Sequence, residues 1–509
     1  MSIFITEFER AGAAAGTLAG LTFAIKDNID VAGIPTTAGC PAFAYTPDRD
    51  ADVVERLLAA GATAKGKTNL DQFATGLVGV RTPHGALSSV FHPEYASGGS
   101  SSGSAIAVAK GLVNFSLGTD TAGSGRVPAA FNNIIGLKPT KGLLSMKGVV
   151  PACLSLDCVS IFARDLHTAK RALLVAACKP VQQHEAKTQF RFGVPTALEF
   201  FGDVEAEKLY EQAVTKLEAA GGARVEIDYA PFLETARLLY SGPWVAERYA
   251  AVGEFIEAHP NETHPVVRDI ILGAKRYSAV DTFKAMYRLE ELRAITAPVW
   301  DTIDTLCLPT TGTIYKIADI ESNPVQLNNN LGYYTNFVNL LDLAALAIPA
   351  GFRPNGLPFG ITLIGPAHSD LALLQLAASL DRIEVAVVGA HLSGQPLNFQ
   401  LQERGATLLR TCKTASNYRL FALANTAPPK PGLLKEPGFQ GAGIEVEVWS
   451  MPAREFGSFV GAIPGPLGIG TLMLADGSAV KGFICEPAGL AGAEDITAFG
   501  GWRKFRLAR

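Results

Sequence analysis

Short apolar runs alternate with stretches of helical spacing over the first 165 residues, the pattern of an α/β core built on a mixed sheet. Residues 21–25 form an apolar run that reads as a buried strand ending at Lys26. Val53, Val54, Leu57 and Leu58 fall at helical spacing within 51–60, with Asp50 as the N-cap and Gly61 as the stop. Residues 104–111 predict a buried helix and 114–117 a central strand. Farther on, 203–220 is amphipathic and ends at Gly221 and Gly222, with a strand following over 224–228. A long helix is expected over 281–305 and a pocket-lining loop over 308–313. Segments 335–350 and 356–366 would close the sheet, and 369–380 would be a last helix. The first 20 residues, rich in Ala and Gly, read as a lead-in.

The pattern then changes. Residues 384–391 read as a strand running into a glycine-containing loop at 392–398, 444–449 alternate with period two, and 469–483 form a hairpin turning at Asp476 and Gly477. Two domains follow from this: residues 1–383, and a smaller β-rich α+β unit over 384–509. A length of 509 residues is more than one ordinary core accommodates. Hydrophobic content of 48% against 18% charge implies a large interior, and a net charge of −4 leaves no basic footprint for nucleic acid. Stretches such as 343–352 are too short to span a bilayer, and the acidic first ten residues lack the basic start of a signal peptide. Seven cysteines, an odd number without CxxC spacing, read as reduced thiols of a cytoplasmic protein, with no disulfide framework or zinc site.

Candidate chemistry concentrates in two Gly/Ser-rich loops, 97–104 and 118–126, on either side of the apolar run 105–112. Such density of small residues lets backbone N–H groups converge on a ligand. Taken alone, a Gly/Ser run also reads as a linker, Lys26 as a solvated strand-end lysine and Ser124 as a helix N-cap. Together, the Gly98 to Ser104 and Gly118 to Ser124 segments, the Gly-Leu-Lys-Pro-Thr of 136–140 and the Lys-Asp-Asn-Ile-Asp of 26–30 resemble the amidase signature family, over roughly residues 20–380. That resemblance implies an amidase-signature core, a mixed central β-sheet covered by helices. It also implies a Ser–cis-Ser–Lys site needing no cofactor or metal. Carried over by position, Lys26 is the base, Ser100 the serine on a cis peptide, and Ser124 the nucleophile. The N–H groups of Thr121, Ala122, Gly123 and Ser124 would form the oxyanion hole.

Physical chemistry is consistent with those roles. A serine hydroxyl is a weak nucleophile until its proton is removed, and no histidine lies in these loops. A lysine serves as base only when neutral near pH 7, and the apolar run before Lys26 supplies the desolvation required. Asp120 and Arg126 are candidates to pair in support of the second loop, whereas Lys65 and Lys67 read as structural.

Residues 238–249 resemble the substrate-recognition segment of allophanate hydrolases, in which a tyrosine and an arginine eight residues apart hold the substrate; here these are Tyr240 and Arg248. A guanidinium fork matches a carboxylate, and a phenol adds one directed hydrogen bond. The plainer reading pairs Arg248 with Glu247 or a nearby helix and leaves Tyr240 in the core. The C-terminal unit resembles the γ-glutamyl cyclotransferase-like domain of the same enzymes, with His391, the only histidine in that unit, as its candidate site residue or simply a strand-end histidine. The resemblance as a whole implies hydrolysis of allophanate in urea breakdown, a separate urea carboxylase as pathway partner, and a homodimer bound to neither membrane nor nucleic acid.

Three alternatives stand beside this. Gly99 to Gly103 matches G-x-S-x-G with Ser101 as nucleophile, but residues 91–97 are not the apolar strand such an elbow requires. The glutaminase component of a tRNA-dependent amidotransferase, or an amidase of other small amides, would share the same core. A non-catalytic scaffold would have little reason to keep all three catalytic side chains.

Overall fold

The computed structural model describes residues 2–183, 187 and 189–509. Two compact units are present, Met1–Ala377 and Ala378–Arg509.

The first unit is built on an eleven-stranded sheet. Its strands lie in the order Phe4–Arg10, Thr63–Thr68, Thr22–Lys26, Phe115–Asp120, Cys158–Ala163, Ile135–Lys138, Ala344–Phe352, Pro358–Gly365, Thr305–Pro309, Phe190–Pro195 and Gly222–Ile227. The sheet is mixed. Thr22–Lys26 runs parallel to both of its neighbours, the strands from Cys158 to Gly365 are antiparallel, and the last three run parallel again. Central strands are buried on both faces: every residue of Phe115–Asp120 and Cys158–Ala163 is buried, the polar ones included.

One pairing places the chemistry. Phe23 lies opposite Phe115 and Ile25 opposite Leu117 in parallel register. The carboxyl ends of both strands therefore emerge at the same edge, bringing Lys26 beside the 118–126 loop. Behind them the helix Ser102–Ala109 is buried nearly all round, as its lack of a polar face requires.

Several local expectations are corrected. The first helix spans Asp52–Ala59 with Ala51 at its N-cap; Asp50 instead accepts from Arg10 and from the Ala32 amide. The supposed lead-in contains the edge strand Phe4–Arg10, antiparallel to Thr63–Thr68. The long helix ends at Thr296 because Pro298 cannot donate to a continuing ladder, and Thr305 already belongs to a strand that runs to Pro309. Residues 335–350 contain the short helix Asn336–Leu340 ahead of their strand. The amphipathic segment 203–220, by contrast, is as expected: a helix, Val204–Ala219, capped by the Asp203 carboxylate.

The second unit carries a five-stranded sheet in the order Thr407–Lys413, Glu445–Pro452, Arg382–Val387, Ala479–Cys485 and Leu467–Met473, with a three-stranded sheet beside it. Leu467–Met473 and Ala479–Cys485 form the expected hairpin, and Gly477 adopts the positive φ of its turn. Val385, Val387, Val446, Val448, Trp449 and Phe483 are among its core residues. All seven cysteines are free thiols.

The helix Ala279–Thr296 starts with a capping box, Ser278 accepting from the Asp281 amide while the Asp281 carboxylate accepts from the Ser278 amide. Ser278→Ala should cost about 1 kcal/mol, readable as a lowered midpoint in urea unfolding with an unchanged slope.

Candidate active site

Lys26 is fully buried at the end of its strand. Its Nζ lies 2.8 Å from Ser100 Oγ and 2.7 Å from Thr119 Oγ1, and among the described residues no carboxylate hydrogen-bonds it. Burial lowers its pKa from 10.5 to about 7, against the opposing pull of Asp71, Asp157 and Asp120, with Arg248 adding to the depression. Thr119 was not anticipated. It stands within a recognisable motif, but only the strand register turns its hydroxyl onto the lysine.

Ser100 follows a cis peptide bond from Gly99. Its carbonyl accepts from the Asp71 amide at 3.1 Å, and the Asp71 carboxylate accepts from the amides of Val78, Gly79 and Arg81. Thus Asp71, also missed in the sequence, fixes the cis serine and the 76–81 turn together. Ser101 donates to the Thr119 carbonyl from the buried side of the loop, a supporting contact rather than a nucleophile's.

Ser124 is nearly buried and its hydroxyl donates to the Gly76 carbonyl at 3.5 Å. Among the described residues it forms no hydrogen bond to Ser100. The structure therefore brings Lys26 to Ser100 directly and leaves Ser124 turned towards Gly76.

Asp120 and Arg126 do pair, both fully buried, with Nε to Oδ2 at 2.9 Å and Nη2 to Oδ1 at 3.0 Å. Burial pushes the Asp120 carboxyl up, but Arg126 and neighbouring donors overcome this and hold it below the usual range. The same carboxylate accepts from the amides of Gly123 (2.8 Å) and Gly125 (3.0 Å). This corrects one expectation: the Gly123 N–H is already engaged, so it is not free to serve an oxyanion. Gly123 instead supplies shape, because its φ is +124° and a Cβ there would meet the Thr335 hydroxyl at 2.4 Å. Thr121 donates to Asp157, whose other oxygen accepts from Ala152 and Cys153, and the Ala122 carbonyl accepts from Thr335. Ala122 and Ser124 thus sit in a loop pinned from both sides.

Arg248 lies on the helix Val245–Ala258 and is 2% exposed. Nη1 donates to Thr75 Oγ1 at 2.9 Å and the Ala74 carbonyl at 3.4 Å, and the guanidinium sits 5.6 Å from the Tyr240 ring centroid. Glu247 is not its partner, being held by the amide and hydroxyl of Ser155. Among the described residues Arg248 has no ion pair, and its Nε and Nη2 have no protein acceptor. Lys65 pairs with Glu9 at the surface, and Lys67 is buried against Asp27 and Thr36, both structural as expected.

The Amidase family profile matches residues 6–374. The chain belongs to the amidase family. In this amidase, residues 383–507 match the profile "Allophanate hydrolase C-terminal domain". Urea amidolyase of Saccharomyces cerevisiae is 46% identical over 96% of this chain, which spans only 29% of that protein's length. The solved allophanate hydrolase of Kluyveromyces lactis is 45% identical with a TM-score of 0.69, covering 96% of this chain and 89% of that one. One component of the glutamyl-tRNA(Gln) amidotransferase of Halobacterium salinarum is 33% identical over 75% of this amidase and the whole of that protein.

In the second unit His391 is nearly buried, with Nε2 2.9 Å from Gln400 Oε1 and its ring stacked on Phe483 at 4.9 Å. Burial lowers its pKa, and it lines a cavity of about 210 Å³ together with Gln400, Lys430 and Phe483.

Because the folded-state pKa of Lys26 lies below its unfolded value of 10.5, the unfolded chain binds more protons between about pH 7 and 10.5. Its burial thus costs most below neutrality, and the cost fades as pH rises through that window. Lys26→Met should therefore stabilise the fold in chemical denaturation near neutral pH, by a margin that shrinks towards pH 10.5.

Proposed function

We propose that this amidase hydrolyses allophanate to ammonia and a carboxylated product that loses CO2, through Lys26, Ser100 and Ser124. The observation carrying the substrate assignment is Arg248: a buried guanidinium beside Tyr240 with no acid partner, close enough to Lys26 to weaken its hold on a proton. Such a group calls for an anion, and allophanate is a small planar urea bearing a carboxylate. The allophanate hydrolase of Kluyveromyces lactis and the C-terminal profile carry the name of the same compound.

In this reading the substrate carboxylate occupies Arg248 and Tyr240, placing the amide carbonyl at Ser124. Neutral Lys26 accepts a proton from Ser100, and Ser100 from Ser124, once the Ser124 hydroxyl turns about χ1 from Gly76 to Ser100. Ser124 Oγ bonds to the carbonyl carbon, and the oxyanion is met by amides of the 121–124 loop other than that of Gly123. The carbon–nitrogen bond breaks, the nitrogen takes the proton and leaves as ammonia, and water releases the acyl group by the reverse relay.

Substrate would come from a urea carboxylase on another chain. We assign the two functions to residues 1–383 and 384–509, with His391 facing the C-terminal cavity as the candidate for handling the carboxylated product. A cytoplasmic location accords with the free thiols. Among the described residues no helix is long and apolar enough to cross a membrane. Val280, Phe283, Met286 and Tyr287, exposed along one helix, offer a homodimer its contact surface.

Ser124→Ala should abolish ammonia release from allophanate while leaving the unfolding midpoint within about 0.5 kcal/mol of the parent; undiminished turnover would refute the nucleophile. Activity on glutamine rather than allophanate would instead favour the amidotransferase-type reading.

Because the neutral amine is the active form, kcat/KM should climb about tenfold per pH unit below roughly pH 7 and level off above it. A profile flat from about pH 5 to 8 would exclude Lys26 as the base.

A further inference from the structure

Arg248 is not the only buried guanidinium gripping the 74–76 turn. Arg81 is 1% exposed, and donates Nη1 to the Thr75 carbonyl at 3.1 Å and Nη2 to the Pro324 carbonyl at 2.6 Å. Its Nε is buried with no partner. Among the described residues it forms no ion pair, and the nearby Asp71 carboxylate is occupied by three backbone amides. Carbonyl contacts satisfy hydrogen bonds but do not neutralise a charge kept from water, and two such cations side by side repel each other.

Arg81 also lines a cavity of about 460 Å³. Tyr240, the ring against Arg248, forms part of the same wall, with Asn328, Asn329 and the exposed Arg276 around it. Asn328 uses its carbonyl oxygen on the Leu77 amide, leaving its NH2 as a donor. The acid in the lining, Asp269, is held by Arg268 at 3.0 Å. On a chain of net charge −4, an anion needs a local positive field to approach.

We propose that this cavity is an anion-selecting vestibule of the active site, in which Arg81 and Arg276 draw small carboxylate-bearing amides to Arg248. The inference rests on the assignment of Arg248 and Tyr240 to the substrate carboxylate. Arg81 acts through its charge as a specificity-determining residue, not as a group touching the reacting carbon.

The test compares kcat/KM of the full chain for malonamate and for its uncharged counterpart malonamide, in low and high NaCl. Arg81→Met should lower the malonamate/malonamide ratio about tenfold, and Arg276→Gln about threefold while flattening the salt dependence. Arg81→Lys keeps the charge but loses the fork to Thr75 and Pro324, and should restore most of the ratio. If Arg81 is merely a clamp on those carbonyls, both substrates fall together and lysine fails to rescue, which overturns the proposal. Should Arg81→Met not fold, an unchanged ratio and salt slope in Arg276→Gln overturns it equally. If the parent protein itself prefers malonamide, the Arg248 assignment fails, a result distinct from failure of the vestibule.

Discussion

An amine shut away from water is the constraint around which the site is arranged. Lys26 touches two hydroxyls, while three carboxylates lie near enough to raise its pKa, and burial still prevails. Each of those acids has its hydrogen bonds elsewhere and acts on the amine only at longer range. Asp120 is forked by Arg126, Asp71 takes three backbone amides, and Asp157 takes Thr121 and two more. Asp120 is neutralised by its own cation and none of the three hydrogen-bonds the amine, so their pull does not match the desolvation of the ammonium.

The same three carboxylates staple the loops that carry the serines. Asp71 ties the 76–81 turn to the backbone of Ser100, Asp120 folds the chain back at Gly123 and Gly125, and Asp157 anchors Thr121. Donors aimed at a developing charge are effective only if they need not reorganise, and irregular loops reach that state only when their polar groups are bound. The Gly123 amide, sacrificed to Asp120, illustrates the exchange: one potential donor lost to hold its neighbours in place.

Cations follow a different logic. Arg126 is paired and structural, whereas Arg248 and Arg81 are buried with no ion pair among the described residues and converge on the 74–76 turn. A guanidinium left uncompensated inside a protein favours the ligand that completes it. That contrast separates Arg126, part of the scaffold, from the two arginines on which the substrate proposal rests.

Much was legible in the residues alone. Short runs rich in apolar residues marked strands because a sheet covered on both faces buries both sides of each strand, and the Gly/Ser loops with Lys26 stood out as candidates because their motifs are local in sequence. Boundaries were less legible where a single residue decides them, as with Pro298 ending a helix and Ala51 rather than Asp50 starting one. Contacts between distant segments could not be read at all: Thr119 on Lys26, Asp71 beneath Ser100, and Arg81 beside Arg248. The chain by itself therefore pointed to the segments that meet around Lys26 and to the presence of two units. Tertiary structure decided which charges are neutralised and which remain, because pKa and ligand preference depend on burial and on neighbours brought together from far along the chain.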